Sequence, residues 1–243
     1  MVILTFSVGE TLTLNVRIVK DKSAKKILSD FETGYDLIAD KFSGTRAFMW
    51  RDLGFIRDSV KTGDRVLDFG CGNGRLVGFL EGNYKKYVGV DISQKLIDIA
   101  SQKYNSEKTE FVKLSSDFYT LPFKDNCFEI IFSIAVFHHF PSKEYTSIIA
   151  KELYRVLKPG GKIVITVWNL WQKQYLKYHK KSKKEWVDAE IPFKSGNKVF
   201  RRYHHPFKTG ELESFFQEAG FETLKAEEGW NLLYIGEKAS VDK

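Results

Sequence analysis

Cysteine is nearly absent: Cys71 and Cys127 are the only two in 243 residues, which excludes a disulfide framework and leaves no zinc-ligand spacing. No apolar run reaches the length a membrane-spanning helix needs. The apolar start, Met1 to Val8, is too short to span and lacks the basic lead of a secretory signal. These omissions predict a soluble, cytoplasmic protein that makes no use of a membrane. What is present is a hydrophobic content of 43%, enough for a sizeable core and far from the composition of a disordered chain. The length suits one α/β domain, or one domain with an appended insertion. A formal charge of +7 is a modest basic bias, as compatible with a polyanionic partner as with none.

The alternation of Thr11 to Ile18, with Gly9 as a turn, predicts a β-hairpin in an N-terminal extension over residues 1–30. A basic link, Lys20 to Lys26, leads to expected helices over Phe31–Ala39 and Phe48–Val60. From Arg65 the chain changes rhythm. Apolar runs at Arg65–Phe69, Tyr87–Asp91, Thr109–Lys113, Phe128–Ile134 and Lys162–Trp168 read as strands. Helical segments at Arg75–Leu80, Gln94–Tyr104 and Ser142–Leu157 separate them, the last stopped by Pro159-Gly160-Gly161. Regular alternation of this kind predicts a parallel sheet with helices on both faces. Between Trp168 and Gly210 the rhythm breaks, marking a basic insertion at about residues 170–208 of a domain covering 31–243. A helix at Gly210–Ala219 and strands at Phe221–Glu227 and Asn231–Lys238 close the chain; a turn as short as Glu228-Gly229-Trp230 requires the last two to pair antiparallel.

The segment Asp68-Phe69-Gly70-Cys71-Gly72-Asn73-Gly74 sits between a strand and a helix, where the backbone must turn sharply and admit a ligand. The glycines follow a GxGxG spacing. Asp68 precedes them inside the strand, awkward for a pyrophosphate but suited to the ammonium of a methionine moiety. Asp91, ending the next strand, is placed to accept from ribose hydroxyls. Asp117, ahead of Leu121-Pro122-Phe123, either meets an adenine amino group or is a turn residue.

Combined with Val156-Leu157-Lys158-Pro159-Gly160-Gly161, these stretches resemble the class I S-adenosylmethionine-dependent methyltransferases over about residues 60–238. The resemblance implies a Rossmann-like seven-stranded sheet of order 3-2-1-4-5-7-6 and S-adenosylmethionine as cofactor. It also implies a cofactor site drawn from Tyr35, Asp68, Gly70, Cys71, Gly72, Gly74, Asp91, Ile92, Asp117, Phe118 and Ser133. A nicotinamide dehydrogenase would need GxGxxG and a hydride-transfer partner, and neither is evident.

Three further stretches are more particular: Phe42-Ser43-Gly44-Thr45-Arg46, Ser133 to His139, and Arg202-Tyr203-His204-His205-Pro206-Phe207-Lys208-Thr209-Gly210-Glu211-Leu212. With the glycine loop, they resemble the family that methylates the carboxylate of 5-carboxymethyluridine at the tRNA wobble position, including the methyltransferase domain fused to an AlkB-type oxygenase. That family has tyrosine where this chain has His204. The resemblance implies tRNA as partner and, in eukaryotes, a small zinc-containing activator subunit. A carboxylate acceptor is ionised near neutral pH and needs no general base. It needs a cation to orient it, for which arginine's planar fork is suited. Arg46 and Arg202 are the candidate clamps, against the plainer reading of surface salt bridges. His138 is a candidate acceptor contact, and Trp168, Tyr203 and His205 candidate parts of the acceptor wall. Neither His138-His139 nor His204-His205 is accompanied by a carboxylate or cysteine cluster, so no metal is expected.

The stretch Trp171 to Lys184 carries six lysines, no acid and interleaved aromatics. Such a segment either contacts an RNA backbone and unpaired bases or is a solvated loop. The alternatives to the tRNA enzyme are a small-molecule methyltransferase, acting on a quinone precursor or carboxylic metabolite, and a non-catalytic binding subunit. The first shares the Leu-Pro-Phe and His-His segments but gives no reason for the Arg202–Leu212 stretch. The intact glycine loop argues against the second.

Overall fold

The structure, a computed structural model, describes residues 22–46, 53–179 and 188–240. Helix α1 (Lys22–Thr45) buries Ala24, Leu28, Phe31, Ile38 and Ala39, a stripe at three- and four-residue spacings. It therefore starts well before the expected Phe31 and crosses the boundary placed at residue 30. From Lys22 on, the supposed basic link is its first turns, with lysines flanking Ala24 and Leu28 and Lys26 paired to Asp30 at 2.7 Å. The expected hairpin in the first residues and positions 47–52 lie outside the described residues. Of the helix expected at Phe48–Val60, the described part contains the single turn α2 (Phe55–Asp58).

The main sheet contains β1 (Arg65–Phe69), β2 (Lys86–Asp91), β3 (Thr109–Lys113), β4 (Phe128–Ile134) and β5 (Leu157–Trp168), mutually parallel. Helices α3 (Arg75–Leu80), α4 (Gln94–Tyr104) and α5 (Lys143–Val156) connect them. Ser93 caps α4 by accepting from Leu96 N–H, and Ser142 caps α5 by accepting from Tyr145 N–H. Helix α5 ends at Val156, ahead of Pro159-Gly160-Gly161, but β5 begins at Leu157, before the expected Lys162, so that the motif lies within the strand, where Gly160 N–H donates to Lys238 O at 2.7 Å.

The sequence reading missed β6 (Ala189–Ser195) and β7 (Lys198–His204), an antiparallel hairpin outside the main sheet. It is followed by α6 (Thr209–Ala219), β8 (Glu222–Glu228) and β9 (Asn231–Glu237). The order β3-β2-β1-β4-β5-β9-β8, with β9 antiparallel to both neighbours, is the expected 3-2-1-4-5-7-6 once the extra hairpin is set aside.

Two apolar layers sandwich the sheet. Leu67, Ile131, Ile163 and Ile165 face the layer completed by Ile149 and Leu153 of α5 and Phe216 of α6. Their neighbours Val66, Ile130, Phe132 and Val164 face the other, with Ile56, Leu76 and Leu80. Period-two alternation thus fills both faces, the requirement of a parallel sheet. No helix among the described residues is long and apolar enough to cross a membrane.

Candidate functional site

A cavity with about 1190 Å³ of space, counting its open mouth, lies at the carboxyl ends of β1, β2, β4 and β5, reached by Phe69, Asp91, Ile134 and Trp168. The glycine loop forms its floor. Gly70, Gly72 and Gly74 have φ of 77°, 54° and 72°, values that side chains disfavour. At Gly70 a Cβ would also lie 2.2 Å from the Val136 side chain. Gly72 N–H donates to Asp91 Oδ2 at 2.9 Å, and Ser93 N–H to Asp91 Oδ1 at 2.9 Å. The loop and the second strand's carboxylate are therefore one hydrogen-bonded unit. Asn73 ties the same loop to the end of α1, its Nδ2 donating to Ser43 Oγ at 2.9 Å.

Asp68 lies beneath the loop, 3% exposed, and accepts from the Tyr87 hydroxyl. Burial pushes its carboxyl up to about 7, against the pull of Tyr87 and Arg75. Burial raises Asp91 as well, opposed by its Ser93 and Gly72 donors. Both carboxylates border the cavity, so a ligand bearing an ammonium and a vicinal diol would compensate what burial costs them. That is the donor set a methionine moiety and a ribose offer.

The opposite wall is aromatic. Tyr35 of α1 donates from its hydroxyl to His139 Nε2 at 2.9 Å, while His139 Nδ1–H donates to Tyr203 O at 2.9 Å. His139 is thereby neutral, its ring pushed down to about 3, chiefly by burial. His138 Nδ1 accepts from Trp168 N–H at 3.2 Å, which puts its proton on Nε2. His204 Nδ1–H donates to Arg202 O at 2.9 Å, and its buried Nε2 has no hydrogen-bond partner. His138, His204 and Trp168 stack in turn, with centroids 5.0 and 5.4 Å apart. Burial lowers both His138 and His204.

A ring nitrogen from each of His138, His139 and His204 falls within 4.8 Å of the others, a proximity not foreseen from the sequence. Their hydrogen bonds argue against a cation there. His139 has both nitrogens engaged, and His138 uses its lone pair on a backbone amide. The neighbouring guanidinium adds further repulsion.

That guanidinium belongs to Arg202, 4% exposed on β7. It lies 5.2 Å from the Trp168 ring centroid and 5.3 Å from that of Phe193. Its Nε is buried without a hydrogen-bond partner, and it has no carboxylate partner among the described residues. Arg46 follows α1 at the cavity edge, 5.2 Å over the Phe42 ring; burial and Arg202 lower its pKa. Neither arginine forms a salt bridge with another described residue.

Of the residues singled out by sequence, Tyr35, Arg46, Asp68, Gly70, Cys71, Gly72, Asp91, Ile92, Phe118, His138, Trp168 and Arg202 border the cavity. Five others do not. Gly74 turns the chain into α3, its α-carbon facing Tyr104 and Ala100. Asp117 is exposed and engaged by Ser115 Oγ at 2.6 Å, behaving as the turn residue; Ser116 and Phe118 border the cavity instead. Ser133 is buried within β4. Tyr203 points its hydroxyl to Asp188 at 2.7 Å and supports the wall through its carbonyl. His205 bonds Glu211 at 3.0 Å behind that wall. Sequence reasoning overlooked Phe31, Arg75 and Tyr145, whose apolar or helical positions made them look like ordinary core or surface.

A family model described as a methyltransferase domain matches residues 67–165. The tRNA (carboxymethyluridine(34)-5-O)-methyltransferase of Arabidopsis thaliana is 32% identical over 79% of this chain and 49% of its own length. The chain thus spans about half that relative. The Schizosaccharomyces pombe protein of the same description is 31% identical over 79% of this chain and 88% of its own. Among solved structures, an S-adenosylmethionine-dependent methyltransferase from Methanosarcina mazei shares the fold, with a TM-score of 0.65 at 22% identity, over 79% of this chain and 99% of that one. The methyltransferase solved in complex with the Trm112 activator of Haloferax volcanii shares it at 0.62 and 18% identity, over 84% and 97%. The glycine loop with Asp68 and Asp91 lies within residues 67–165 matched by the methyltransferase domain model, whereas the match to the S. pombe protein extends over most of that enzyme: the chain belongs to the tRNA (carboxymethyluridine(34)-5-O)-methyltransferase family.

Proposed function

We propose that this chain methylates the carboxylate of 5-carboxymethyluridine at the wobble position of tRNA. The carrying observation is Arg202. A buried guanidinium held between two aromatic faces, with no carboxylate partner among the described residues, is costly unless a ligand brings the missing anion. An acceptor carboxylate does so and is oriented by the planar fork. Arg46, at the cavity edge, adds a second positive charge for the same carboxylate or a flanking phosphate.

S-adenosylmethionine fits the other half of the cavity, its ammonium answering Asp68 and its ribose Asp91, and supplies an electrophilic methyl on a sulfonium. The chain's own work is alignment and exclusion of water. No side chain has to take a proton from an ionised acceptor, which agrees with a wall of neutral imidazoles. The His138 Nε2–H is left as a donor at that wall, and His139 fixes the Tyr35 hydroxyl. The lysine-rich stretch 171–184 supports RNA over a small metabolite as acceptor, and with it the cytoplasmic setting expected from the sequence. The Haloferax complex supports a Trm112-type activator as a second partner.

The test is incubation with labelled S-adenosylmethionine, with and without such an activator, and tRNA bearing 5-carboxymethyluridine, read by nucleoside mass spectrometry. The expected product is the methyl ester, absent when the tRNA lacks the carboxymethyl group. Transfer to small carboxylic acids but not to this tRNA would overturn the acceptor.

A further inference from the structure

We infer that the β8–β9 turn and the segment following β5 form a stacking platform for unpaired nucleotides of the RNA whose modified base enters the cavity. The inference rests on the acceptor proposed above and concerns residues outside the cavity. Trp230, at the tip of the turn, is 69% exposed, and Trp171 is 38% exposed.

The two are held in one construction. Gln172 Nε2 donates to Trp230 O at 2.8 Å, Asn169 Nδ2 to Gly229 O at 3.1 Å, and Trp171 N–H to Asn169 Oδ1 at 3.2 Å. Trp171 Nε1–H is spent on Pro206 O at 2.9 Å, its ring packs edge-to-face on His179 at 5.0 Å, and Lys208 Nζ lies 5.4 Å from the centroid, so the indole is fixed beside the turn that carries Trp230. A platform set by backbone and amide bonds loses little freedom when a base stacks on it.

The platform is on the cavity's side of the molecule. Trp168, which borders the cavity, pairs with Asn231 next to Trp230 and stacks on Tyr175 at 6.1 Å. Lys173, Lys177 and Lys208 are exposed around it. Of the nearby acids, Glu228 accepts from Asn169 and Glu227 pairs with Lys225. Cores of protein–protein interfaces are depleted in lysine, whereas aromatic faces interleaved with lysines are what single-stranded nucleic acid requires. Charge complementarity therefore selects RNA over a protein partner.

The experiment uses the full chain and an anticodon stem-loop carrying 5-carboxymethyluridine, with binding read by fluorescence anisotropy. Trp230→Ala should weaken binding about tenfold and raise KM for tRNA, with kcat and KM for S-adenosylmethionine unchanged. Trp230→Phe should restore most of the affinity. Lys208→Ala should make the dependence of log affinity on log salt shallower by about 0.7. Wild-type affinity and tRNA KM in Trp230→Ala would overturn the platform and leave the indole as a protein contact, without touching the acceptor. Trp230-dependent binding of the stem-loop without methylation would instead sink the acceptor and spare the platform.

Discussion

The Tyr87 hydroxyl donates to Asp68 Oδ2 beneath the glycine loop, the one side-chain hydrogen bond this buried carboxylate receives among the described residues. Since Asp68 titrates near 7, an incoming ammonium must displace its proton at lower pH. Affinity for S-adenosylmethionine is therefore expected to rise with pH up to about 7 and then level off, losing up to about tenfold per unit below it. Calorimetry in buffers of different ionisation enthalpy should register proton release at pH 6. Tyr87→Phe should move the midpoint upward, because the hydroxyl favours the ionised form. Asp68→Asn should abolish the dependence.

Arg202→Met should separate stability from function. Removing a buried charge in favour of an apolar side chain is expected to leave the melting temperature unchanged or raised. Methyl transfer to tRNA should fall at least about hundredfold, the scale of a lost electrostatic anchor. Arg202→Lys should not rescue it, since an ammonium cannot fill the slot between Trp168 and Phe193 as a planar group does. Substantial activity in the methionine variant would remove Arg202 from the acceptor site.

The histidine wall predicts acid lability. His138, His139 and His204 are held neutral in the fold, so the unfolded chain binds more protons between pH 6.5 and about 3, the range set by His139. Stability should fall as pH drops through that window, by up to about 1.4 kcal/mol per unit per imidazole. Asp68 and Asp91, with raised pKa values, contribute in the opposite sense and offset part of this decline. Thermal melts between pH 7 and 5 should show the decline. His204→Tyr, which introduces a group that does not titrate there, should make it shallower; an unchanged slope would take His204 out of the account.

Gly34→Ala inverts a familiar sign. In an exposed helix this change stabilises by about 0.5–1 kcal/mol. Here the new Cβ would lie 2.3 Å from the Phe200 ring, where the hairpin rests on α1. The melting temperature should drop, and in a Phe200→Ala background the same substitution should become neutral or stabilising.

The doubly covered sheet could be read from apolar runs separated by helices because burial on both faces writes itself as near-continuous hydrophobicity. Asp68 and Asp91 were legible for a different reason: strand-end carboxylates next to a glycine loop have few structural uses. The β6–β7 hairpin was not. Along β7 the inward positions are Phe200, Arg202 and His204, so two polar residues occupy the sites whose hydrophobicity would have revealed the strand. Asp117 stayed ambiguous for another reason: an acid after a strand is as often a turn former, here bonded to Ser115, and nothing local separates the two uses.

The hairpin meets α1 through a ring resting where Gly34 has no side chain, and through Lys41 Nζ donating to Lys194 O at 2.8 Å. None of its strands pairs with the main sheet. Its arginine reaches the cavity from outside the sheet, while the two carboxylates that border the cavity stay on β1 and β2. Such an attachment is a separate module: its own ladder closes on itself, so changes along the hairpin leave the hydrogen bonds of the seven-stranded sheet intact.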